Sequence, residues 1–231
     1  LGFSAGETQV GYYSTANKIF AISLSLFSAL TGVLLPRMSA LIAGNQLAEY
    51  KTLLGKTTDF LVAISFPTIV FVLLFAQEII RLISGEGYEG AIVPLQIMIP
   101  LLFIIGYEQI LVIQGLMPLK KDRSILINSI IGATIGVTCN ILLVPTLKSI
   151  GSSIVWVVSE MAVLLTAQYA MRRFVGIRFP WKKTLANVVY IIPLSILLFF
   201  IKRIPCSYIF SLSLAIAVTG LYTVLLQIHI L

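Results

Sequence analysis

Long apolar runs alternate with short polar links along this chain. Seven runs reach the length of about 20 residues that one bilayer crossing needs, roughly 10–35, 59–83, 91–117, 124–146, 150–171, 184–204 and 206–228. Most links are only a few residues, as in "SGEGYEG", "LKKDR" and "LKSIG". The first link is longer. Within "NQLAEYKTLLGK", Leu47, Tyr50 and Leu54 share one helical stripe while Lys51 and Lys56 lie off it. That pattern predicts an amphipathic helix at 40–58 lying in the membrane interface. The fold class expected is all-α, a polytopic bundle of about seven transmembrane helices.

Two features punctuate the runs. Pro67, Pro94, Pro100 and Pro193 fall inside them, and each removes a backbone donor and can bend its helix. Gly132 and Gly136 form a G-x-x-x-G pair, which lets a second helix approach closely. Asn140, one further turn along, is read as a bond between neighbouring helices.

Composition sharpens the class. The chain is 58% hydrophobic and 11% charged, with a mean hydropathy of +1.03; a soluble domain carries about 25% charged residues. The formal net charge of +7 does not point to nucleic acid, because the basic residues cluster in links between apolar runs. Alternate links hold Arg37, Lys51 and Lys56, then Lys120, Lys121 and Arg123, then Arg172, Arg173, Arg178, Lys182 and Lys183. The opposite side holds only Arg81, Lys148, Lys202 and Arg203. The positive-inside rule then places the richer side in the cytoplasm, the N-terminus outside and the C-terminus inside.

Candidate chemistry lies in the polar groups at membrane depth, which mark substrate or ion pathways. The first run carries Tyr12, Tyr13, Asn17 and Lys18 near its outer end. The tyrosines fit either an interfacial aromatic belt or a polar path, and Lys18 either reaches outward to headgroups or faces inward to an anion. Glu108 and Gln109 are expected near mid-membrane in the third run, and Glu160 near the centre of the fifth. Cys139 and Cys206 fit no disulfide or zinc spacing and read as small apolar fillers. His229 is the one histidine. No metalloprotease, serine-hydrolase or phosphate-loop motif occurs, so neither an enzyme nor a cofactor is expected.

The stretch "LGFSAGETQVGYYSTANKI" resembles the middle of the Wzx-type polysaccharide flippases of the multidrug/oligosaccharidyl-lipid/polysaccharide exporter superfamily. "LLPRMSAL", "SGEGYEGAIVPLQIMIPLL" and "NILLVPTLKSIGSSIVWVVSE" resemble later segments of that family in order and spacing, with Ser153 where a Gly or Ala is usual. The resemblance implies alternating access between two lobes, carrying undecaprenyl-pyrophosphate-linked oligosaccharide across the bacterial inner membrane for O-antigen, capsule or exopolysaccharide export. Residues 1–183 would be the C-terminal lobe, with about five spans and the interfacial helix, and 184–231 an added two-helix hairpin. The chain, which opens without methionine, is then expected to be a fragment. Its partners would be the lipid-linked glycan, membrane lipids, and a missing N-terminal lobe or polysaccharide assembly proteins, with no nucleic acid. Lys18 would contact phosphate, Tyr12, Tyr13, Asn17 and Gln109 the sugars, and Glu108 and Glu160 a coupling ion. The competing readings are drug/cation antiport in the same superfamily, a membrane-embedded glycan polymerase or ligase, and an inactive remnant of a split gene.

Overall fold

The computed structural model describes residues 6–230, with side chains to residue 225. The opening "LGFSA" and the side chain of His229 lie outside the described residues. Helix α1 spans Glu7–Ala43 and α2 spans Leu47–Ser84. The third path is broken into a short 3₁₀ turn at Glu89–Ala91, α3 at Ile92–Met98, α4 at Leu101–Gln109 and a π-helical turn at Ile110–Leu116. Then follow α5 (Asp122–Val175), α6 (Trp181–Arg203) and α7 (Tyr208–Ile230). Among the described residues there is no strand.

Helix α5 holds two crossings rather than one. Its 54 residues would extend about 80 Å at 1.5 Å per residue, far beyond a hydrocarbon core of about 30 Å. Lys148 breaks it with φ 52° and ψ −126°, outside helical space. Contacts across the break run in opposite directions. Asn128 meets Thr166, a Cβ on Gly132 would lie 2.5 Å from Val163, one on Gly136 would lie 3.2 Å from Ser159, and one on Gly151 would lie 2.7 Å from the Leu143 carbonyl oxygen. Arms 122–147 and 149–175 therefore form a tight antiparallel hairpin, and the seven apolar runs become seven crossings.

Two ion pairs supply a ruler for membrane depth. Helices α2 and α6 run parallel, with Lys183 bound to Asp59 at 2.6 Å and Lys202 to Glu78 at 3.4 Å. Both steps, 59 to 78 and 183 to 202, are 19 residues, and everything between is uncharged. That separation is about 28 Å of helix, close to the hydrocarbon thickness. The two pairs therefore mark the two boundaries of the apolar slab.

Several helices overshoot this slab on the lysine- and arginine-rich side. Residues 47–58 are not a separate interfacial helix; they are the first turns of α2 itself. Tyr50 and Leu54 are buried against protein, with Tyr50 donating its hydroxyl to the carbonyls of Gln114 and Gly115 in the π turn. Prolines explain only one bend. Pro100 separates α3 from α4 where the third path turns by 42°. Pro67 lies within continuous helix, and the irregular residue in α2 is Phe75.

Candidate functional site: a polar groove and an open lysine

A groove of about 660 Å³ runs between the two arms of α5, α1 and α4. It gathers six of the residues singled out from the sequence: Tyr13, Glu108, Gly132, Gly136, Asn140 and Glu160. The hairpin makes it. Glycines on one arm face small residues on the other, so the backbones approach and leave a channel lined by polar tips. Asn140 bonds the Gly136 carbonyl of its own helix at 3.0 Å rather than reaching a neighbour. Trp156, Ser129, Ser152 and Ser159 also line it, beside Ala133, Val155 and Val163, and were missed in the sequence. The Trp156 and Glu160 spacing of one helical turn was the available signal: the indole N–H donates to the Glu160 carboxylate at 3.1 Å. The same indole packs edge-to-face with Phe20 of α1, ring centres 5.0 Å apart.

The groove is acidic. Glu108 and Glu160 both face it, and no lysine or arginine lines it. Glu108 lies nearer the basic face than its position in the third run suggests. Its neighbour Tyr107 shares a small pocket with Asp59 and Lys183, which places Glu108 close to one slab boundary. Glu160, one turn beyond the Phe20–Trp156 contact, sits within the slab.

Lys18, Tyr12, Asn17 and Gln109 do not line the groove. Tyr12 packs edge-on against Tyr88, Asn17 is half-buried, and Gln109 exchanges a hydrogen bond with Ser28 at 3.2 Å. Lys18 is exposed, and among the described residues no carboxylate lies within ion-pair distance of it. Its depth follows from two registers. Antiparallel packing of Phe27 on Phe60 and Arg37 on Glu49 sets Lys18 opposite about residue 69 of α2. Parallel contacts of α1 with the third path, Tyr12 on Gly90 and Ser28 on Gln109, set it opposite about residue 97. The pairings Phe66–Phe103 and Leu73–Gln96 carry that to about residue 72 of α2. Both place Lys18 roughly 9–14 Å inside the level of Glu78.

Around Lys18 the exposed surface of α1 divides in two. One stripe, through Lys18, Ala21, Ser25, Ser28 and Gly32, with half-buried Ser14 at its outer end, is small apart from the lysine and carries the hydroxyls of this face. Beside it Ile22, Leu26 and Val33 are bulky, apolar and 69%, 56% and 76% exposed, as lipid-facing residues would be.

Comparison with known proteins bears on this arrangement. Residues 1–93 match the family model described as "Polysaccharide biosynthesis protein". A protein of Escherichia coli (strain K12) whose name proposes O-antigen transport is 30% identical over 126 residues, 54% of this chain and 30% of the relative's length. The fold matches the solved structure of the lipid II flippase MurJ in an inward closed conformation, with a TM-score of 0.80 over 95% of this chain and 46% of that one. At 14% identity that likeness concerns the fold alone. The chain thus spans less than half of either protein's length. The chain is thus similar over residues 1–93 to polysaccharide biosynthesis proteins, over about half its length to a protein named for O-antigen transport, and in fold over nearly all of it to a lipid II flippase.

Proposed function

We propose that this chain supplies one lobe of a two-lobe flippase that moves undecaprenyl-pyrophosphate-linked oligosaccharide across a bacterial inner membrane by alternating access. In this reading the basic face is cytoplasmic, residues 1–183 form the lobe and 184–231 an added hairpin. The supporting observation is the placement of Lys18. A lysine at that depth, exposed and without a carboxylate partner among the described residues, costs about 2.5–3.5 kcal/mol in hydrocarbon. The small polar stripe around it fits a wet cleft against a second lobe far better than acyl chains. A diphosphate there would find a cation, with Asn17 and Gln109 near the same edge of α1.

The acidic groove then has a separate task. Two carboxylates sharing one polar channel favour a cation or a shared proton between them, which suits coupling rather than glycan binding. Glu108 and Glu160 are the proposed coupling groups, and Tyr13 links groove to cleft. Drug/cation antiport is the second reading, favoured by one observation: the groove is acidic and lined by Tyr13 and Trp156, as a cation site would be.

The test replaces Lys18 with alanine, and separately with arginine, in the complete transporter, and follows glycan export. Alanine should depress export at normal protein levels and arginine should retain much of it. Undiminished export by Lys18→Ala removes the lysine from the pathway. Loss of organic-cation efflux in Glu160→Gln, with glycan export intact, would favour the antiport reading.

A further inference from the structure

A second polar pocket, apart from the groove, opens on the basic face. It holds about 110 Å³ and lies where the first turns of α2, the end of α4, the link 176–180 and the start of α6 converge. Lys51, Arg178 and Lys183 line it together with Asp59, Thr58 and Tyr107. Lys183 binds both oxygens of Asp59, at 2.6 and 2.7 Å, so that carboxylate is already neutralised. Lys51 and Arg178 are exposed, and neither has a carboxylate within ion-pair distance among the described residues. Two cations converging on a concavity without a counter-charge make an anion site, and a guanidinium beside an ammonium suits phosphate oxygens. The volume admits a phosphate group and excludes a glycan chain.

Depth identifies the source of that phosphate. The Lys183–Asp59 pair marks the boundary of the apolar slab, so the pocket lies at headgroup level. From it a run of rings descends into the hydrocarbon. Trp181, 66% exposed, packs on Phe179 at 4.5 Å; Phe179 packs on Phe103 at 6.2 Å; and Phe103 packs on Phe66 at 5.3 Å. Aromatic side chains that begin at the interface and continue inward form a surface for acyl chains. Basic pockets between transmembrane helices on such a face suit anionic headgroups. We infer that this pocket holds the phosphate of an anionic phospholipid from the basic-side leaflet, with its chains against the Trp181–Phe179–Phe103–Phe66 surface. A bound lipid would join α2, α4 and the 176–180 link, tying α6 to the lobe from outside the transport path.

Trp181 reports on this directly. The full chain, with Trp156→Phe to leave a single tryptophan, is reconstituted in phosphatidylcholine vesicles containing phosphatidylglycerol, one lipid or the other carrying brominated chains. Quenching gives the preference for anionic over zwitterionic lipid beside Trp181. The expected result is a preference for phosphatidylglycerol that falls by roughly tenfold in Lys51→Gln/Arg178→Gln. The same loss of charge on the same face in Lys120→Gln/Arg123→Gln should leave it intact. In vesicles of brominated phosphatidylcholine alone, equal quenching in all variants shows that Trp181 of each is inserted against lipid. Absence of any preference in the parent overturns the proposal, as does an equal fall in both double variants, which would mean diffuse surface attraction. Loss of the preference on adding inorganic phosphate at constant ionic strength also overturns it, because the pocket would then serve a free anion.

Discussion

The pairing of Lys202 with Glu78 makes a quantitative prediction about what holds α6 in place. Glu78 is 16% exposed, and one of its carboxylate oxygens is buried without any partner among the described residues. Lys202 binds the other oxygen at 3.4 Å and also donates to the carbonyl of Leu74. That carbonyl adjoins Phe75, where irregular backbone interrupts α2. The lysine therefore compensates a buried charge and a broken helical turn at once. Replacing Lys202 with methionine keeps the aliphatic stem and strands both acceptors. Removing one partner of a fully buried pair costs about 3–5 kcal/mol; Lys202 is 36% exposed, so about 2–3 kcal/mol is expected here. Thermal unfolding in lipid nanodiscs should register this as a fall of roughly 5–10 °C in Tm. The double variant Glu78→Gln/Lys202→Met should regain most of the loss, since the stranded charge is gone. An unchanged Tm in Lys202→Met, or a double variant no more stable than the single, would refute the claim that this pair clamps α6 and marks the slab boundary.

The α5 hairpin and the π turn yield three further outcomes. Gly132→Leu should destabilise the protein by about 1–3 kcal/mol, because its Cβ alone would lie 2.5 Å from Val163; Val163→Ala in the same chain should restore part of the loss, as melting curves of the variants will show. Asn128→Cys/Thr166→Cys, in a chain with Cys139 and Cys206 replaced, should form a disulfide on mild oxidation, seen as a gel-mobility change, whereas Asn128→Cys/Val157→Cys should not. Tyr50→Phe removes the hydroxyl that serves the Gln114 and Gly115 carbonyls. It should cost about 1–2 kcal/mol, and amide exchange should quicken in the π turn 110–116 more than in α4.

Amphipathic stripes reveal that a helix face is covered and leave open what covers it. The apolar runs and the asymmetry of lysine and arginine carried the seven crossings, because lipid demands length and apolarity whatever the tertiary structure. The stripe through Leu47, Tyr50 and Leu54 looks the same whether lipid or protein lies beneath. Here Tyr50 and Leu54 meet protein, so α2 simply continues. Proline proved a weak guide for a related reason: a bend needs neighbours that tolerate it, and Phe75 bends where Pro67 does not.

The candidate site divides along the same line. Residue types at depth were visible in the sequence, but their grouping depends on helix rotation and on the hairpin register. Asn17 and Lys18 are adjacent in sequence yet about 100° apart around α1, enough to leave one half-buried and the other exposed. Glu108 and Glu160 are 52 residues apart (108 to 160) yet line one channel, because the 122–175 hairpin folds back along α4. The result is a spatial separation of charge. The anions sit in a channel within the helix bundle, and the cation stands on the exposed flank of α1 roughly a third to a half of the way across the slab. If Lys18 and the two glutamates served a single ligand, that ligand would have to reach around α1 through the Tyr13–Asn17 edge. Two ligands of opposite charge, one on each side of that helix, need no such path. A helix with one face toward each of them is the element whose rotation could link their binding.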